Sequence, residues 1–180
     1  MKEGTREEHE RLDGLFAGFD LGTAHGYRRF LAAHAEALLP VEAALDAVDA
    51  ASVFTDWPLR KRGDALRSDL AEMGGDIPSA IVAAPVSLAD TPADREAAMA
   101  GILYVIEGSR LGGRFLARQL AADFPARYLD PDQPAGHWRA LLFQLDEVLD
   151  TPAKLTIAIG SARAVFARFG EAGKNWLSKE

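Results

Sequence analysis

Residues 104–119 read YVIEGSRLGGRFLARQ. The apolar positions recur with a helical period, yet Gly108, Gly112 and Gly113 stand where a helix is better served by alanine. Each interior glycine costs a helix about 1 kcal/mol relative to alanine, so the three together cost about 3 kcal/mol. Either the segment is not one helix, or something approaches its backbone more closely than a Cβ would permit. Tyr104, Gly108 and Gly112 step by four and share a face, which Phe115 continues. That face offers a hydroxyl at one end, a groove without side chains in the middle and a ring at the other end. It suits a large planar ligand, or equally a neighbouring helix packed closely. A phosphate-binding loop fits less well. The spacing G-x-x-x-G-G is not G-x-G-x-x-G, and no Lys-Ser/Thr follows as in a P-loop.

Outward from this stretch the helical period continues. Thr91-Pro92-Ala93-Asp94 is a helix start, with Thr as N-cap and Pro in the first turn, and predicts one helix from there to about residue 123. Residues 74–90 show no period and read as a connecting loop, a strand over 80–83 having no partner. Nearer the N-terminus, Thr5 and Glu8 predict a capping box, with His9, Leu12, Phe16 and Phe19 on one helical face. A second helix is predicted over about 23–48, with Tyr27, Leu31, His34, Leu38, Val41 and Leu45 on one stripe and Pro40 kinking it. A third runs from Trp57-Pro58 to about 73, with Leu59, Leu66 and Leu70 inward. After a turn region at 124–133, a fifth helix covers about 134–149, and Thr151-Pro152 opens the last, which carries Phe166 and Phe169. No segment alternates as a strand does. The expected fold is all-α, about six helices in a single domain over 1–180.

Composition narrows the chemistry. With 48% hydrophobic and 26% charged residues, the chain is of ordinary globular rather than disordered type. A net charge of −7 disfavours nucleic acid or an anionic membrane as partner. There is no cysteine, which removes thiolate chemistry, iron–sulfur clusters and disulfides. The charged start predicts no signal peptide and no apolar run is long enough to span a membrane, so the expected location is cytoplasmic. Any metal would rest on His, Asp, Glu, Met or Tyr. His25 and His137 read as capping or surface residues. His34 lies on a core stripe, whereas His9 sits in the first turns of a helix, where the positive dipole end favours a neutral, ligating ring. The residues keep both as candidates, with the dipole argument leaning to His9.

The segments TREEHERLDGLF, YVIEGSRLGGRFLA and TPAKLTIAIGSARAVFARF together resemble the bacterial biliverdin-producing haem oxygenase (heme oxygenase) family, including members found with bacteriophytochromes. The resemblance covers most of the chain. It implies an all-α bundle that sandwiches haem b, both cofactor and substrate, between a proximal and a distal helix, with O2 as co-substrate. It implies His9 as iron ligand and Gly108, Ser109 and Gly112 as the catalytic stretch. Lys2, Tyr104, Gly113 and Phe166 become haem-binding residues. Electrons would come from a ferredoxin or a reductase, and a bacteriophytochrome could receive the biliverdin. Two positions depart from the animal-type pattern. Ser109 stands where those enzymes carry an aspartate. Trp138 and Leu142 occupy a region where basic residues meet the haem edge, with Arg139 out of register. Arg110 and Arg114 are candidates for the missing charge. The alternatives are a haem-binding protein that stores haem without degrading it, and a helical bundle that binds none.

Overall fold

The computed structural model describes residues 1–77, 91–130 and 136–179. Among them run seven α-helices: α1 (Arg6–Phe16), α2 (Ala24–Ala47), α3 (Trp57–Arg60), α4 (Gly63–Glu72), α5 (Pro92–Ala117), α6 (His137–Val148) and α7 (Pro152–Leu177). Short 3-10 turns occupy Glu3–Thr5 and Ala50–Ser52. The described residues contain no strand, in line with the all-α expectation. The region considered for a strand at 80–83 and most of the loop at 74–90 lie outside the described residues.

Threonine starts three of the long helices. Thr23, Thr91 and Thr151 each accept a hydrogen bond from the backbone N–H three residues on, and such caps contribute about 1 kcal/mol each. α5 packs most extensively on α7, which in turn packs on α2 and α1. The core lies between them and includes Phe30, Leu31, Leu38, Leu45, Leu103 and Phe169. At the α5–α7 crossing a Cβ on Gly101 would overlap the carbonyl oxygen of Ala158, so these two backbones touch.

Three boundaries differ from the sequence expectation. Thr5 does not cap α1. Its hydroxyl donates to the carbonyl of Met1 at 3.2 Å, and the preceding residues coil into the 3-10 turn. The helix expected over 57–73 breaks at Lys61, whose ψ of 142° is extended. The cause is Glu42 on α2. Its buried carboxylate accepts the N–H of Arg62 at 2.7 Å and of Gly63 at 3.0 Å, and so caps a new helix, α4. The break turns Leu59 outward, 70% exposed, whereas Leu66 and Leu70 point inward as expected. α2 runs through Pro40 without interruption. α5 ends at Ala117 rather than near 123, its backbone passing into tighter i→i−3 turns before Tyr27 ties down the carbonyl of Pro125 at 2.7 Å. The described start of α6 is His137, and residues 134 and 135 of the helix expected from 134 lie outside the described residues.

Candidate functional site

No residue of α1 is fully buried, although Leu12 and Phe16 pack partly against the core. His9 stands on this shallow helix with its side chain 57% exposed. Its Nδ1 lies 3.0 Å from a carboxylate oxygen of Asp13, one turn on, which commits that nitrogen and leaves Nε2 free to ligate. The ring meets Phe166 of α7 edge-on at 5.9 Å. His34 is placed very differently. Part of the residue remains accessible, but its ring packs against Phe16, Phe30, Tyr128 and Phe169. Its Nδ1 bonds the carbonyl of Phe30 at 2.8 Å. Loss of solvation among those rings pushes its pKa from 6.5 down to about 3. His34 is thus a neutral packing histidine, and the donor chemistry favours His9.

The glycines of α5 divide by environment. A Cβ on Gly112 would meet nothing within 4 Å, and one on Gly108 would make ordinary contact with the Trp138 ring at 3.6 Å. A Cβ on Gly113 would overlap the carbonyl of Leu129, so this glycine answers a packing need on another side of the helix. Gly108 and Gly112 therefore keep a surface bare without any neighbouring backbone requiring it. Further along, Leu111 and Phe115 are largely exposed.

Tyr104 and Lys2 line one cleft of about 480 Å³, together with Trp138, Leu142 and Asp146 of α6. The Tyr104 ring lies 5.6 Å from that of Trp138, and its hydroxyl pairs with Thr5. Burial raises its pKa. The expected site residues thus form two groups. Lys2 and Tyr104 share the cleft, with Gly108 joined to it through Trp138, and His9 and Phe166 meet on the α1–α7 side. Ser109 and Gly112 belong to neither lining. The cleft walls are mostly apolar, and His9, with its free ring nitrogen, and the bare surface at Gly112 lie outside this lining. This donor set fits a haem.

Ser109 is engaged rather than free. Its hydroxyl donates to the carbonyl of Ile106 at 2.7 Å and accepts from a guanidinium nitrogen of Arg62 at 2.6 Å. Arg62 also donates to the Ile106 carbonyl at 2.9 Å and lies over the Tyr128 ring at 4.8 Å. Neither arginine expected near Ser109 reaches it. Arg110 makes an ion contact with Glu107 at 2.8 Å, not aligned as a hydrogen bond, and donates to the carbonyl of Arg60. Arg114 pairs with Asp130 near the surface at 3.0 Å.

Beside this cluster the fully enclosed Arg60 binds Asp56, Glu107 at 3.0 Å and the carbonyl of His137 at 3.4 Å. Burial alone would raise the Asp56 pKa, but its bonds to Arg60 prevail and lower it. The sequence reading placed the run at 59–64 within the helix expected over 57–73 and did not single out Arg60 or Arg62. Glu107 was the available signal, a lone carboxylate in an apolar run that needs a buried partner.

A histidine with one ring nitrogen free, a helix surface left bare by glycine and an apolar cleft are features expected of an all-helical haem-binding protein. The chain belongs to the haem oxygenase family, whose model, "Heme oxygenase", matches residues 1–174. It is 36% identical over 153 residues to "Heme oxygenase" of Xanthomonas campestris pv. campestris, covering 81% of this chain and 87% of that one. It is 30% identical over 178 residues to "Heme oxygenase PigA" of Pseudomonas aeruginosa, covering 93% and 86%.

Proposed function

We infer that the chain is a haem oxygenase, acting as one domain that cleaves haem b to biliverdin, ferrous iron and CO with O2 and external electrons. The observation that carries this reading is His9, with Nδ1 committed to Asp13 and Nε2 free on a helix that buries none of its residues. Bound haem supplies the iron at which O2 is reduced. His9 holds that iron from the α1 side. Gly108 and Gly112, bare of side chains, would let the α5 backbone come close to the haem and would keep bulk away there. Lys2 and Tyr104 are assigned to the propionates, and Phe166 to the wall beside His9. The proton of the Ser109 hydroxyl is given to Ile106 and one lone pair accepts from Arg62, so Ser109 would orient water through its remaining lone pair rather than donate directly. Gly113 contributes by keeping α5 against Leu129.

Electrons come from a partner, a ferredoxin or a reductase, since the chain has no cysteine for an iron–sulfur cluster. Among the described residues no helix is long and apolar enough to cross a membrane. A cytoplasmic location and delivery of biliverdin to a bacteriophytochrome belong to the same proposal. The direct test is hemin titration followed by reductant and O2. A Soret shift and then biliverdin absorbance are expected. Bound haem that stays intact would instead favour storage, and absence of binding would leave a bundle that takes no haem.

A further inference from the structure

α1 buries none of its residues, and the apolar side chains that anchor it in part, Leu12 and Phe16, follow His9 in the chain. The turn that carries His9 is held by one stripe of α7. Ile159, Arg163 and Phe166 step by four and three and so share a face of that helix. Each of them meets the N-terminal segment. A Cβ on Gly4 would fall 2.8 Å from the Ile159 side chain, so the 3-10 turn lies directly on α7. Phe166 meets the His9 ring at 5.9 Å. Between them the Nε of Arg163 donates to the Gly4 carbonyl at 3.0 Å and lies 3.1 Å from a carboxylate oxygen of Glu8. Glu8 immediately precedes His9, and Gly4 follows Lys2 by two residues. The Glu8 side chain is 17% exposed, so its charge is partly withdrawn from water against this guanidinium. The ion pair of Arg6 with Glu10, at 3.9 Å, stays within α1 and ties it to nothing outside.

Resting on the haem oxygenase reading, we propose that Arg163 is the positioning residue of the iron-ligand side: by holding the Gly4 carbonyl and the Glu8 carboxylate at one nitrogen, it seats His9 against Phe166 and keeps the turn beside Lys2 in register with it. Arg163 acts through Glu8 and the Gly4 carbonyl and not on haem itself. Asp13 orients the His9 ring, whereas Arg163 sets where the helix bearing that ring lies. One α7 side chain thus ties the residue assigned to the iron to the residue assigned to a propionate.

The test uses the full chain with hemin, as wild type, Arg163→Met, Arg163→Lys, Glu8→Ala and the double variant Arg163→Met with Glu8→Ala. Hemin affinity is read by Soret titration. The placement of His9 is read from the iron–histidine stretching band of the reduced complex in resonance Raman. Arg163→Met is expected to lower the affinity by about three- to tenfold, the scale of one partly exposed charge-assisted contact. It should also broaden the band, because His9 loses its single seat. Arg163→Lys should return most of both. Glu8→Ala should broaden the band in the same way, and the double variant should be no worse than Arg163→Met, because the two substitutions remove one contact. Arg163 is more than half exposed, so its replacement leaves the core intact. Losses that add, or lowered thermal stability with an unmoved band in both single variants, would show a merely structural role and overturn the inference. Failure of the wild type to bind hemin overturns the functional reading instead, so the two failures are distinguishable.

Discussion

Asp13 holds Nδ1 of His9 at 3.0 Å across one turn of α1. This bond orients a ring that is otherwise mostly exposed, and such outer partners of a ligating histidine are typically worth 10–100-fold in metal affinity. Asp13→Ala is expected to weaken hemin binding by about tenfold, read by Soret titration. His9→Ala should abolish the wild-type ferric spectrum. An unchanged spectrum in His9→Ala would remove His9 as ligand.

The α5 glycines should respond oppositely to substitution. Gly112→Ala meets open space, so the chain without haem should gain up to about 1 kcal/mol of stability from helix propensity. Gly112→Leu should fold equally well yet bind hemin poorly. Gly101→Ala forces a methyl into the Ala158 carbonyl and should cost about 1–3 kcal/mol as overpacking does. Denaturant midpoints of the three variants check the pattern.

His34 should make stability depend on acid. Its pKa is lowered from 6.5 to about 3, so the unfolded chain takes up the proton first on acidification. The associated stability is fully present above pH 6.5 and is lost as pH falls towards 3. Each pH unit in that window is worth up to about 1.4 kcal/mol. The stability difference between wild type and His34→Gln should therefore shrink by about 2 kcal/mol from pH 6.5 to pH 5. Urea unfolding at the two pH values measures it, and a constant difference would count against a neutral His34.

Arg60 joins α3, α5 and the first residue of α6 through Asp56, Glu107 and the His137 carbonyl. Arg60→Ala leaves Glu107 buried beside Arg110 alone and should cost about 3–5 kcal/mol, as loss of one partner from a buried pair does. The double substitution Arg60→Met with Glu107→Met should recover a large part of that loss. Comparison of the single and double variants by thermal unfolding isolates the charge.

Local chemistry made the helix starts at Thr91 and Thr151 readable, because a cap is decided within four residues of sequence. The break at Lys61 was not readable, since its cause is the carboxylate of Glu42, about twenty positions upstream. The same limit applies within the glycine stretch. Gly112 and Gly113 are neighbours in sequence, and only the passage of Leu129 past one of them separates a bare surface from a packing contact. His9 and His34 each lie on an apolar stripe, and four surrounding rings distinguish them. Ser109 was legible as the unusual polar residue, but its partner Arg62 looked like one more cation in a charged run.

The backbone contacts at Gly101 and Gly113 lie twelve residues apart, about 18 Å along α5. They prop the helix like a beam on two supports, with Gly108 and Gly112 between them. A span held in this way has little freedom to sag or lift when a guest slides beneath it. The room for entry would then come from α1, which buries none of its residues. Amide exchange in the haem-free chain should accordingly run faster along α1 than along the middle of α5. On this view the proposed reactive surface is the fixed anvil of the molecule, and the helix bearing the proposed iron ligand is the part that travels.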